Sequence, residues 1–145
     1  LAAFGPLSDL ATHLSSADFV IVAIPSAAGT IDLISTTERQ LMKSSAFIIN
    51  VGRGPVIDET ALYTALAERR IGGAGLDVWW TYPTDDQPCH PATAPFHELD
   101  NVVMTPHKPT HETMHYRWGV IAENIAHHLN GTPHHNVVWQ HSTTS

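Results

Sequence analysis

The run Phe19-Val20-Ile21-Val22-Ala23-Ile24 limits most what this chain can become. It is unbroken, apolar, rich in β-branched residues and of strand length. It therefore reads as a strand covered on both faces, which places it in a parallel sheet. Parallel neighbours need long crossovers, and the following residues supply them. Pro25 ends the run. After a Gly29-Thr30 turn, Thr37 can cap a helix through Met42-Lys43, and a second apolar run follows from Ala46 to Ile49. Asp58 is a good N-cap for the next helix, with Ala61, Leu62, Ala65 and Leu66 on one face. Arg69-Arg70 stand at its carboxyl end, where the helix dipole favours cations, and Gly72-Gly73 terminate it.

Outside this central stretch the pattern continues. Ser8 can cap a short helix through Leu14. Ala74 to Val78 read as a third strand, whose small residues suggest a helix or ligand lying close against it. Residues 79 to 100 carry Pro83, Pro88, Pro91 and Pro95 without periodicity, and so long an irregular excursion is uncommon unless functional. Asn101 to Thr105 form a fourth strand closed by Pro106. A long helix is expected from Thr110 to Leu129, with Trp118, Ile121, Ala122, Ile125 and Leu129 on a core-facing stripe, stopped by Asn130-Gly131 and Pro133. Strands alternating with helices predict an α/β fold, a doubly wound parallel sheet of the Rossmann-like kind. In such sheets ligands bind beyond the carboxyl ends of the strands.

Those ends are Pro25, the turn Val51-Gly52-Arg53, Asp77, and Thr105-Pro106-His107. One arginine, one aspartate and one histidine would share a crevice. A guanidinium can hold a carboxylate and polarise an adjacent carbonyl, while a histidine can give a proton to the carbonyl oxygen or take one from a hydroxyl. That is half of a 2-oxoacid reduction. The other half is a hydride source, and an open α/β sheet is where a dinucleotide would lie. Composition narrows the rivals. The 145 residues suit one domain, and with Lys+Arg 7 against Asp+Glu 14 the net charge is −7, with no basic cluster for nucleic acid. Cys89 is the only cysteine, which excludes an internal disulfide and fits a reducing compartment. No apolar run approaches a membrane span of ~20 residues, so a soluble, cytoplasmic protein is expected. A first residue of Leu1 rather than Met suggests a piece of a longer chain.

The segments Leu41-Met42-Lys43, Ile49-Asn50-Val51-Gly52-Arg53-Gly54-Pro55-Val56-Ile57-Asp58-Glu59, Ala61-Leu62, Gly72-Gly73-Ala74-Gly75-Leu76-Asp77-Val78 and Asn101-Val102-Val103-Met104-Thr105-Pro106-His107 occur in that order. Together they resemble the nucleotide-binding domain of the D-isomer-specific 2-hydroxyacid dehydrogenases, over about Ser16 to Val138. The resemblance implies a cofactor of NAD or NADP, a 2-oxo or 2-hydroxy acid substrate, and a homodimer formed through nucleotide-binding domains. It implies that Arg53 grips the substrate's carboxylate and carbonyl, that His107 is the acid/base, and that Asp77 holds the nicotinamide carboxamide. Ala23, Ile24, Pro25, Thr30, Val51 and Gly52 would line the cofactor together with Arg53 and His107. The whole of residues 1–145 would then be a partial domain, without its first βαβ unit and without the substrate domain. A nucleotide-binding, non-catalytic regulatory relative is the alternative.

Three departures from the family pattern stand out. No G-x-G-x-x-G loop occurs in this sequence. Where the family has Glu-Pro after the Asp77 strand, this chain has Tyr82-Pro83, so Tyr82 takes the place of the carboxylate that pairs with the histidine. A neighbouring carboxylate typically raises a histidine pKa by ~1–3 units, and Asp85, Asp86 or Glu112 would have to substitute. Finally, Pro109-Thr110 replace a small Ser-Gly pair. A rival class is spelled by His111-Glu112-Thr113-Met114-His115, the H-E-x-x-H string of zinc peptidases. It falls at the first turn of its helix beside Pro109 and no third ligand follows, Glu123 being too near. No metal is expected.

Overall fold

The computed structural model describes residues 5–84, 88–107, 114–133 and 135. The chain divides into two compact units, Leu1–Lys108 and Pro109–Ser145. In the first unit a 3-10 turn at Leu7–Asp9 leads into α1 (Leu10–Ser16), followed by β1 (Phe19–Val22), α2 (Thr36–Gln40), β2 (Phe47–Asn50), α3 (Glu59–Ala67), β3 (Gly73–Leu76) and β4 (Val102–Met104). The strands form one four-stranded sheet in the order β1-β2-β3-β4, every pair parallel. The expected α/β architecture is therefore present, and its carboxyl edge gathers the ends of all four strands.

Local chemistry explains the helix starts. Ser35, not Thr37, begins α2: its Oγ accepts the Thr37 N–H while Glu38 reaches back to the Ser35 N–H, a complete capping box. The Ser35 hydroxyl bonded to it holds the Glu38 carboxyl below its ordinary value. Asp58 caps α3 as expected, its Oδ1 accepting the Ala61 N–H at 2.8 Å. The helix ends before the glycines, at Ala67 with Glu68 as its C-cap, and Arg69 follows in the left-handed region at φ +55°. Ser8 caps nothing; its hydroxyl donates to Asp9.

One face of the sheet carries the core. Val22, Ile48, Ala74 and Leu76 pack with Leu14, Ile34, Met42, Leu62, Leu66 and Phe96 in a single buried cluster. The alternate residues face the other way, and there Phe19 and Ile21 are each 65% exposed and Val103 70%. The expectation that β1 is covered on both faces thus fails, although its parallel pairing holds. The cause is strand order. Successive crossovers of one hand that all step in one direction pass over the same side of a sheet, so their helices collect there.

The second unit contains α4 (Met114–Asn130), closed by Gly131 at φ +64°. Its expected core stripe is open: Trp118 is 61% exposed, with Ile121, Ile125 and Leu129 exposed too. The less exposed positions are Val120, Asn124 and His127, where the Asn124 amide brackets the backbone of His135 and the His127 and His135 rings pack 4.9 Å apart. No helix among the described residues is long and apolar enough to cross a membrane.

Candidate functional site

The Gly52-Arg53-Gly54 turn leaves β2 through Asn50, which is fully buried. The Asn50 amide spans the turn, its Oδ1 accepting the Gly52 N–H at 3.1 Å and its Nδ2 donating to the Arg53 carbonyl at 3.0 Å. Sequence reasoning passed over this residue. The signal was there, a single polar residue closing an apolar strand, which must find partners inside. Both glycines are set by the protein's own backbone. A Cβ on Gly52 would stand 2.6 Å from the Ile24 carbonyl oxygen, and one on Gly54 only 2.2 Å from that of Trp79. The turn is thus clamped between the end of β1 and the segment after β3.

That clamp presents Arg53 outward in an extended conformation, with Nη1 donating to the Gly52 carbonyl at 2.7 Å. The remaining guanidinium donors point to no hydrogen-bond partner among the described residues, which leaves a planar cation at the carboxyl edge available to an anion. Beside it, Val51 is 49% exposed, and Ala23 and Pro25 are exposed at the end of β1. Thr30 ties the next loop shut: its hydroxyl donates to the Pro25 carbonyl at 2.9 Å and accepts the Ala27 N–H at 2.8 Å.

Asp77 follows β3, where its N–H donates to the Asn50 carbonyl and its carboxylate accepts the Thr105 hydroxyl. Two residues beyond Thr105 comes His107, half-buried, with a φ of +50°. Its Nδ1 lies 3.0 Å from the Tyr82 hydroxyl, and the two rings meet edge to face at 5.5 Å. Tyr82 in turn accepts the Trp79 N–H at 3.0 Å. Of the expected set, then, Tyr82 and His107 are joined directly, and Asp77 reaches His107's segment through Thr105. Arg53 is linked to Asp77 through Asn50, which donates to the Arg53 carbonyl and accepts the Asp77 N–H, and to Trp79 through the Gly54 contact; no hydrogen bond joins it to His107 among the described residues.

The Pro-rich excursion is built, not loose. Trp80 stacks on the buried Phe96 at 5.4 Å and donates from Nε1 to the Ile57 carbonyl at 2.8 Å, so it is core cover. Glu59 Oε1 accepts the Thr93 N–H, the Thr93 hydroxyl and the Ala94 N–H, fastening the far arm to the first turn of α3. Trp79 Nε1 donates to the Thr105 carbonyl at 3.1 Å. Between these ties lies a cavity of about 830 Å³, lined by Trp79, Tyr82, Phe96, Met104, Thr105 and His107 among others. Neither Arg53 nor Asp77 lines it.

Asp85, Asp86 and Glu112, considered above as substitutes for the carboxylate, lie outside the described residues, as do Pro109-Thr110 and the start of the His111-to-His115 string. Among the described residues no group of three or more His, Cys, Asp or Glu side chains is placed to hold a metal ion.

Comparison with known proteins agrees with this fold. Residues 2–108 match the family model of the D-isomer specific 2-hydroxyacid dehydrogenase, NAD binding domain. A glyoxylate/hydroxypyruvate reductase B of Yersinia pestis is 40% identical over 131 residues, 89% of this chain and 38% of that protein. The chain thus spans about two fifths of the length of such curated relatives. Among solved structures, the D-isomer specific 2-hydroxyacid dehydrogenase of Xanthobacter autotrophicus Py2, in complex with NADPH and MES, matches with a TM-score of 0.62 and 32% identity. That match covers 92% of this chain and 52% of the other. The D-lactate dehydrogenase of Lactobacillus jensenii with NAD+ matches with a TM-score of 0.61 and 27% identity, covering 90% of this chain and 42% of the other. The fold is accordingly a Rossmann-like fragment with a four-stranded parallel sheet, and the chain belongs to the D-isomer specific 2-hydroxyacid dehydrogenases through their NAD-binding domain.

Proposed function

We propose that this chain forms the nicotinamide side of an NAD(P)-dependent reductase of small 2-oxo acids, acting within a polypeptide that also supplies a dinucleotide phosphate loop and a substrate domain. The observation that carries the proposal is the carboxyl edge itself, where a cation free to bind an anion and a histidine with one nitrogen already engaged follow the ends of two strands of one parallel sheet. The similarity to glyoxylate/hydroxypyruvate reductases supports small substrates of that kind.

The residues present fit a nicotinamide cofactor. Ala23, Pro25 and Val51 give an exposed apolar shelf, and the Asp77 carboxylate has an oxygen left over for an amide N–H. When bound, the reduced nicotinamide supplies the hydride. The chain's residues do the rest. Arg53 binds the substrate carboxylate and draws electron density from the adjacent carbonyl, making its carbon a better acceptor. His107 delivers a proton to the carbonyl oxygen as it gains charge, and recovers one from solvent afterwards. In the reverse direction the same nitrogen removes the hydroxyl proton.

The test is to assay the complete polypeptide with NADH or NADPH against a panel of 2-oxo acids including glyoxylate and hydroxypyruvate. Turnover is expected. Measurable nucleotide binding with no turnover on any acid would replace the proposal with a nucleotide-binding regulatory role. A homodimer is part of the proposal, and sedimentation of the same protein tests it.

A further inference from the structure

The partner of His107 is a phenol, and that choice has chemical consequences. Tyr82 Oη has one hydrogen to donate and two lone pairs to accept with. The Trp79 N–H, at 3.0 Å, takes one lone pair. What remains for His107 Nδ1, also at 3.0 Å, is the second lone pair or the hydroxyl hydrogen. A doubly protonated imidazole can only donate to Oη. A neutral one has two options: keep its proton on Nδ1 and go on donating, or carry it on Nε2 while Tyr82 donates to a bare Nδ1. Only the first leaves Nε2 able to take up a proton again.

We infer that Tyr82 is a positioning residue which, with Trp79, holds the Nδ1–H of His107 in both protonation states and so keeps Nε2 as the nitrogen that exchanges the proton. This rests on the dehydrogenase proposal above. Two further features fit the role. The Trp79 N–H orients the Tyr82 hydroxyl, and the edge-to-face ring contact, 88° between planes, fixes the direction from which the imidazole is approached. His107 also adopts a backbone conformation that few side chains other than glycine tolerate, and such outliers persist where surrounding contacts over-determine them. The other titratable groups facing this cavity are Cys89, His90 and His97, none of them hydrogen-bonded to His107, while Asp77 is turned to Thr105. Among the described residues no carboxylate touches the imidazole. Among the described residues the orienting work of a carboxylate falls to this pair.

Two variants test this. Tyr82→Phe keeps the ring and removes the hydroxyl. Tyr82→Glu restores an acceptor and adds a charge. Nitrogen-15 NMR of the chain, with His107→Gln assigning the signal among the eleven histidines, should show neutral His107 protonated on Nδ1 in the wild type and on a mixture of nitrogens in Tyr82→Phe. In the complete enzyme, Tyr82→Phe should lower kcat for reduction roughly tenfold or more with KM for the 2-oxo acid little changed, since general acid–base steps contribute ~10²–10⁴-fold and only their alignment is lost. Tyr82→Glu should recover much of that rate and move the alkaline limb of the pH profile upward by ~1–3 units. An unchanged tautomer and an unchanged kcat in Tyr82→Phe would overturn the inference while leaving the dehydrogenase proposal standing. A Tyr82-dependent tautomer in a protein that reduces no 2-oxo acid would do the opposite, supporting the pair and removing the reaction it was assigned to.

Discussion

Replacing Gly54 with alanine tests how the arginine turn is built. The added Cβ would lie 2.2 Å from the Trp79 carbonyl oxygen, 2.3 Å from its carbon and 2.7 Å from the Trp80 nitrogen, against the 3.4 Å at which ordinary contact begins. These are backbone atoms, so no side chain can swing aside. The strand of chain they belong to is itself tied down by the two indole hydrogen bonds, Trp79 to Thr105 and Trp80 to Ile57. Relief needs a shift of roughly 1 Å in a segment held at both indoles. Overpacking of this kind typically costs ~1–3 kcal/mol, and with backbone on both sides we expect about 3 kcal/mol or more. For a urea slope of ~2 kcal/mol/M that lowers the unfolding midpoint by about 1.5 M. Gly29→Ala is the matched control, because nothing lies within 4 Å of its added carbon; it should stay within ~0.5 kcal/mol of the wild type. If urea titration places Gly54→Ala beside Gly29→Ala, the clamp does not exist as described. Because Trp79 also orients Tyr82, Gly54→Ala should disturb His107 as well.

The turn has a second support. Asn50→Leu, which keeps the volume and removes both hydrogen bonds, leaves the buried Gly52 N–H without its acceptor and should cost ~2–3 kcal/mol by thermal or urea unfolding; a loss under half of that would mean the turn holds itself. Ser35→Ala removes the capping box of α2 and should cost ~1 kcal/mol. The pH dependence has a definite sign. The folded-state pKa of Glu38 lies below its ordinary value of 4.5, so its stabilisation is complete above that value and disappears as pH falls through the folded-state pKa. The stability gap between wild type and Ser35→Ala should therefore narrow on acidification, and a gap that widens would contradict the assignment.

Much of the fold was legible because hydrophobic runs and helix caps are local. The order of elements, the parallel pairing and the cap at Asp58 all follow from a few residues each. Boundaries were less legible, since β1 ends at Val22 rather than Ile24. The strand stops where Gly52 packs against the backbone of Ala23 and Ile24, a contact made by residues nearly thirty positions away. The start of α2 was readable but misassigned: the Ser35 to Glu38 spacing is a capping box in plain sequence. Exposure was not readable at all from single segments. Phe19, Ile21 and Trp118 look like core residues in sequence, and only the strand order and the partners of α4 decide which side faces water. The site divides the same way. Arg53, Asp77 and His107 are strand-end residues and were found as such. Glu59 fastens the Pro-rich arm from 34 residues away, a contact that no spacing announces, whereas Asn50, buried beneath the turn, was signalled as a lone polar residue closing an apolar strand.

The central claim is that Arg53 and His107 act on a 2-oxo acid beside a bound nicotinamide, and the most direct measurement is loss of reduced-nicotinamide absorbance by the complete polypeptide, wild type against Arg53→Ala and His107→Gln, with nucleotide affinity determined in parallel. We expect 2-oxo acid reduction in the wild type and a fall in kcat/KM of about 100-fold or more in each variant, ~3 kcal/mol, from the lost charge pair with the substrate carboxylate in Arg53→Ala and from the lost general acid in His107→Gln, with nucleotide binding retained. Turnover that survives both substitutions, or a protein that binds the nucleotide and reduces none of the acids, would contradict it.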